Sequence, residues 1–195
     1  MGTKSIKLIS LLIIIIIPFL GFSQIVELET KIYKVVYDQD LEQPLEVTYT
    51  VKCPKGDADR AGMDFRTVPN VHTSDHKDYA NNVWDKGHLA PAAAFSCTKE
   101  MLRETFLYFN CALQHESLNR GVWNRLEQFE RSLANFYQVD VQIKVVFDKE
   151  VKRVPTGAAI PKEFVKIIKF GDKELKFIFP NKNTSGTDWI DYLVE

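Results

Sequence analysis

Cysteine is scarce in this chain: there are three in 195 residues, and no two stand in a Cys-x-x-Cys spacing. That absence excludes the common zinc ribbons and fingers. Excess charge is missing as well, since 25 Lys and Arg face 26 Asp and Glu, for a formal net charge of -1. A histone-like polycation is therefore ruled out, and attraction to nucleic acid has to come from a local patch. There is no low-complexity tract and no internal repeat. The only long apolar run, from Leu8 to Phe22, is interrupted by Ser10. As a helix it would span about 22 Å, short of a hydrocarbon core of about 30 Å, and Pro18 would break it near its end. What remains is an ordinary globular composition, 45% hydrophobic and 26% charged, which implies one domain.

Lys4 and Lys7 precede the apolar run, and the small residues Gly21 and Ser23 permit cleavage before Gln24. Residues 1–23 thus read as a secretory signal peptide, with an uncleaved membrane anchor as the alternative. The expectation is an exported protein, periplasmic or secreted, whose residues 24–195 form a single domain with no stable membrane association after cleavage. No cysteine follows the run, so lipid attachment is not expected. Losing the two lysines moves the net charge from -1 to -3. Three cysteines are an awkward number for an exported chain. Cys97 and Cys111 pairing, or all of them as small buried thiols, are both open.

β-Branched and aromatic residues dominate 31–37 and 45–51, with turn material at 38–44, which predicts two paired strands. Residues 52–82 are rich in Asp, Gly, Pro, Asn and His and predict a long loop. Thr98 is a candidate N-cap for a short helix to Arg103, with Met101 facing inward. Residues 106–110 predict a short strand. From Ser117 to Phe136, apolar residues Trp123, Leu126, Phe129, Leu133 and Phe136 recur at helical spacing and predict one amphipathic helix. Residues 139–147 predict a central strand, and 164–170 with 175–179 a hairpin around Gly171-Asp172. Strands with few helices and no βαβ rhythm give an α+β class with a mixed or antiparallel sheet and flanking helices.

The chemistry concentrates in Trp84-Asp85-Lys86-Gly87-His88-Leu89-Ala90-Pro91 and in Asn110, Gln114, Asn119, Arg120, Trp123 and Glu127. His88, after a compact Asp-Lys-Gly turn, is the candidate general base, because imidazole best takes a proton from water near neutral pH. Asp85 reads equally as a turn former, and Gly87 as a residue allowing an unusual backbone. Asn119 is the candidate metal ligand through its amide oxygen, a donor suited to Mg²⁺. Glu127 lies about 12 Å further along a straight helix, so it is expected to act on a water near the metal rather than bind the ion directly. Lys86 and Arg120 are candidates for stabilising phosphate charge. Asn110 and Gln114 are candidates for holding waters or orienting backbone beside the metal. Trp123 is expected in the core. His72, His76 and His115 read as loop residues without partners, and a Cys111/His115 thiol hydrolase lacks an orienting group.

Joined together, these stretches resemble the DNA/RNA non-specific endonuclease family, whose fold carries a ββα-metal finger. The resemblance rests on Asp85-Lys86-Gly87-His88-Leu89-Ala90-Pro91-Ala92-Ala93, on Asn110 and Gln114, and on Asn119 to Glu127, and extends loosely from Tyr33 to Asn181. It implies a Mg²⁺-dependent hydrolysis (Mn²⁺ is the other candidate) of DNA and RNA backbones with little sequence specificity, leaving 5′-phosphate ends. In that scheme His88, held by a backbone carbonyl on its other nitrogen, deprotonates water. Asn119 holds the metal, Lys86, Glu127 and Asn110 support catalysis, and Arg66, Arg120 and Gln114 contact substrate. Two departures stand out. Lysine replaces the family's usual arginine at Lys86, which keeps charge but loses the bidentate fork. Met63 stands where an arginine is usual, leaving Arg60 or Arg66 to compensate. The alternative reading is a catalytically weak or inactive nucleic-acid-binding relative.

Overall fold

The computed structural model describes residues 25–194. The expected signal peptide lies outside the described residues. Six strands form one antiparallel sheet in the order β1-β2-β3-β6-β7-β8: β1 (Ile25–Glu29), β2 (Tyr33–Asp38), β3 (Gln43–Thr50), β6 (Val139–Val146), β7 (Glu163–Phe170) and β8 (Lys173–Pro180). The strands expected at 31–37, 45–51, 139–147, 164–170 and 175–179 are present within a few residues, and β1 is an addition at the edge. Gly171, at φ +56°, makes the β7–β8 turn that the sequence predicts. The mixed or antiparallel α+β class is what the chain adopts.

Period-two alternation puts Tyr33, Val35, Tyr37, Val47, Tyr49, Val141, Ile143, Phe164, Ile168, Phe177 and Phe179 in the core. Leu118, Val122, Trp123 and Leu126, from the helical segment over 116–133, complete it. Trp123 is 1% exposed, with its ring 5.5 Å edge-on from both Phe164 and Phe179, so it is a core residue as expected. Lys166 occupies an inward position between Phe164 and Ile168. Its ammonium lies 2.5 Å from Glu130 and 4.3 Å from the Trp123 ring centroid, while Tyr49 donates to the same carboxylate at 2.8 Å. A charged pair so placed is tolerable only because each partner neutralises the other.

β4 (Trp84–His88) and β5 (Cys111–His115) form a separate two-stranded ladder, in which His88 faces Cys111 and Asp85 faces Gln114. The Asp-Lys-Gly stretch is therefore strand, not turn. Gly87 is needed for space, not for φ: a Cβ there would sit 2.5 Å from Gln114 Oε1 and 2.6 Å from Gln114 Cβ. The expected strand at 106–110 is instead a 3₁₀ turn over Tyr108–Asn110, leading into β5. α1 (Lys99–Thr105) begins as expected, with Thr98 Oγ1 accepting from the Met101 amide at 3.2 Å.

The expected continuous helix from Ser117 to Phe136 is broken. A short α2 (Glu116–Leu118) runs into a π-type turn, Asn119–Trp123, in which Gly121 leaves helical geometry at φ -101° and ψ -111°. α3 (Asn124–Leu133) then resumes and stops before Phe136, which is 82% exposed rather than buried. The kink turns the Asn119 end relative to α3, so the straight-helix spacing does not apply.

The cysteine pairing also differs. Cys53 and Cys97 are disulfide-bonded, and Cys111 is the free, buried thiol. Residues 52–82 do form a long loop. It is stitched to the segment after β4 by Lys52 and Cys53 amides on the Ala94 carbonyl and by the Ala58 amide on Ser96. Further along, Arg66 bridges Leu107.

Candidate active site

The β4–β5 ladder and the broken helix after it form the walls of a cleft of about 540 Å³. His88, Lys86 and Asp85 come from β4, Asn119 and Arg120 from the kinked turn, and Glu127 from α3. Arg60, Asp64 and Phe65 come from the long loop, and all of these line the same space. The imidazole and the amide read from the sequence as base and ligand therefore share one cavity.

His88 sits between two aromatic rings, 4.6 Å from Phe65 and 4.9 Å from Phe106, centroid to centroid, the latter edge-on. Its Nε2 is covered and has no hydrogen-bond partner among the described residues. Burial, and then the nearby positive charge of Arg60, push its pKa down to about 3. The ring is thus neutral at neutral pH, with a lone pair available to accept a proton.

Asp85 is the residue whose role the sequence concealed. One carboxylate accepts from Asn119 Nδ2 at 2.9 Å and from Arg120 Nε and Nη2 at 2.8 and 2.6 Å. Binding the amide nitrogen fixes which way the Asn119 side chain faces and leaves its oxygen with no hydrogen bond among the described residues. Arg120 is also 3.4 Å from Glu116. The juxtaposition of an acid in one motif with an amide and an arginine in the other was a usable signal, but only once the two stretches were known to meet.

Lys86 is paired with Asp64 at 2.8 Å, and its ammonium lies 5.9 and 5.5 Å from the Phe65 and Tyr108 ring centroids. Glu127 is half-buried in the cleft. Burial pushes its carboxyl up to about 7, with Glu130 adding to the rise and Lys166 opposing it. Arg131 reaches the Glu127 backbone carbonyl at 3.1 Å rather than the carboxylate.

Three expected site residues fall elsewhere. Asn110 is fully buried and uses its amide on backbone: Oδ1 accepts from the Ala90 amide at 2.8 Å, and Nδ2 donates to the Ala90 and Thr105 carbonyls at 2.9 and 3.0 Å. It clamps the strand exit after His88 and does not reach the cleft. Gln114 is buried against Gly87, and its amide atoms have no partner among the described residues. Arg66 is exposed and contributes its backbone to the Leu107 bridge, outside the cleft lining. His72 and His115 do have partners, Glu42 at 3.2 Å and Ser117 Oγ at 3.0 Å, and His76 lies 4.0 Å from Asp75. Cys111 bonds the Tyr79 hydroxyl, and burial pushes its thiol up, so it is no nucleophile for His115.

A site for a hard divalent ion fits this donor set. The free Asn119 oxygen and the Glu127 carboxylate are oxygen donors, and an ion that keeps several waters needs only one or two protein groups. No group of three or more His, Cys, Asp or Glu that could hold a metal occurs among the described residues, which disfavours a fully protein-caged ion.

Across residues 14–195 the chain matches the DNA/RNA non-specific endonuclease family, and it belongs to that family. Human mitochondrial Endonuclease G is 39% identical over 87 residues, 43% of this chain and 29% of that protein. Zebrafish mitochondrial Nuclease EXOG is 34% identical over 102 residues, 50% of this chain and 30% of that protein. The chain thus spans under a third of the length of these curated relatives. A chain in the crystal structure of the EndoG/EndoGI complex, described as showing the mechanism of EndoG inhibition, has a TM-score of 0.76 and 23% identity. That likeness covers 91% of this chain and 82% of the other and shows the fold. The expected export does not stand, because these two relatives are named as mitochondrial proteins.

Proposed function

We propose that residues 24–195 form one nuclease domain that hydrolyses phosphodiester bonds of DNA and RNA with little sequence preference, leaving 5′-phosphate and 3′-hydroxyl ends. The observation that carries this reading is the shared cleft: a neutral imidazole at His88, whose Nε2 has no hydrogen-bond partner among the described residues, and an oriented amide oxygen at Asn119 line one cavity. Asn119, supported by Asp85, would hold the divalent ion, with Glu127 beside it. Mg²⁺ is the first candidate and Mn²⁺ the second. When bound, such an ion neutralises phosphate charge and stabilises a leaving oxygen.

His88 takes the proton of the attacking water. As a free-enzyme base it is weak, but a phosphate anion docking beside it favours the imidazolium and raises its basicity. Lys86 lends positive charge to the phosphate once Asp64 yields, and Arg120 stands at the cleft edge. These groups meet backbone phosphates, which carry no base identity, so sequence discrimination is poor.

The test is digestion of plasmid, single-stranded DNA and RNA by purified protein, with and without EDTA. Metal-dependent cleavage, abolished in His88→Ala, is expected. Absence of cleavage in any divalent metal, with binding retained, would instead favour the inactive-relative reading suggested by Lys86 and Met63.

A further inference from the structure

Three cations line the cleft: Arg60, Lys86 and Arg120. Two of them are already neutralised. Lys86 is bound to Asp64 at 2.8 Å, and Arg120 is clasped by Asp85 through two nitrogens and approached by Glu116 at 3.4 Å. A phosphate arriving at either must compete with a carboxylate that is tethered next to it. Arg60 has no carboxylate within ion-pair distance among the described residues. Its guanidinium rests 5.7 Å from the Phe106 ring centroid, and the same ring flanks His88. An arginine parked on an aromatic face keeps its donor fork free for a phosphate oxygen pair. The loop that carries it is fastened nearby by the Cys53–Cys97 disulfide and the Ala58–Ser96 backbone bond, so its position against the cleft is defined.

Resting on the nuclease reading above, we infer that Arg60 captures the substrate phosphate, while Asp64 holds Lys86 back until that phosphate is in place. The ligand chemistry is a phosphodiester backbone without regard to base.

The experiment measures binding, not turnover: fluorescence anisotropy of a labelled single-stranded DNA oligonucleotide, in EDTA, across a range of NaCl concentrations. Arg60→Ala is expected to weaken binding about tenfold, as loss of one charge-assisted phosphate contact implies. It should also reduce the slope of log affinity against log salt by about one. Arg60→Lys keeps the slope. Asp64→Asn, which frees Lys86, tightens binding, and the double variant Arg60→Ala with Asp64→Asn recovers much of the loss. Both side chains are exposed, so thermal unfolding midpoints of the variants stay at the wild-type value. The inference is overturned if Arg60→Ala binds with wild-type affinity and slope, if Arg60→Lys loses as much as alanine, or if Asp64→Asn weakens binding. Wild-type protein that binds no oligonucleotide at any salt defeats the nuclease reading itself, a result distinct from these.

Discussion

Substituting Glu127 by glutamine should uncover a pH dependence of folding that two cleft residues together conceal. In the folded chain His88 has its pKa pushed down to about 3 from 6.5. Between those values the unfolded chain binds a proton that the native one refuses, so this group's contribution is full above 6.5 and is lost as pH falls toward 3. Glu127 behaves oppositely, with its carboxyl raised from 4.5 to about 7. Between those values the native chain holds a proton that the unfolded one releases, so its contribution is full below 4.5 and is lost as pH rises through 7. The windows overlap from about 4.5 to 6.5, and there the two slopes, each roughly 1 kcal/mol per pH unit, cancel. Both side chains keep an edge in the cleft, which makes that slope an upper value. Urea unfolding in EDTA at pH 4.5, 5.5 and 6.5 provides the assay, each variant being compared with wild type at the same pH so that other carboxylates subtract out. Relative to wild type, Glu127→Gln should gain up to roughly 2 kcal/mol of stability across that range as pH rises, and His88→Asn should lose a similar amount. A difference from wild type that does not change with pH, in both variants, would refute the assigned burial of these groups.

Three other outcomes follow from the packing and the hydrogen bonds. Asp85→Ala leaves Asn119 and Arg120 without their common acceptor, and the Mg²⁺ concentration giving half-maximal activity should rise about 10- to 100-fold, as for other supports of metal ligands; an unchanged Mg²⁺ titration removes Asp85 from that role. Lys166→Met strands the Glu130 carboxylate in the core and should cost about 3–5 kcal/mol in chemical unfolding, with Glu130→Gln in the same chain restoring part of it. Gly87→Ala drives a methyl group into Gln114 and should cost about 1–3 kcal/mol. Its thermal midpoint and His88-dependent cleavage should fall together, and a variant with wild-type melting would show that β4 and β5 have room to part.

The sheet was legible because alternation over 31–37, 139–147 and 164–179 is strong and because Gly171 marks a turn that only a few residues fill. The cleft pairing of His88 with Asn119 was legible from the motif order. Other elements were hidden for identifiable reasons. Apolar spacing from Trp123 to Phe136 is continuous, yet Gly121 lets the backbone depart from helix, and no periodicity count senses one dihedral pair. Asn110 and Gln114 are polar residues inside the motif stretch, and polarity alone cannot tell a cleft contact from a side chain spent on buried backbone, as Asn110 is, or buried against Gly87, as Gln114 is. Asp85 and Asp64 act through partners 35 and 22 residues away, Arg120 and Lys86. Lys166 is a lysine on the inward parity of a strand, a placement that sequence logic would reject without sight of Glu130.

The loop from Cys53 to Arg66 has no helix or strand of its own, yet it is riveted at both ends, by a disulfide to Cys97 and by a backbone bridge to Leu107. A span fixed in that way behaves like the handle of a cup. Lengthening or trimming it between the rivets changes the width of the mouth that Arg60, Asp64 and Phe65 border, while the vessel behind it keeps its shape. The opening of the cleft is therefore set by a dozen residues that lie outside the six-stranded sheet.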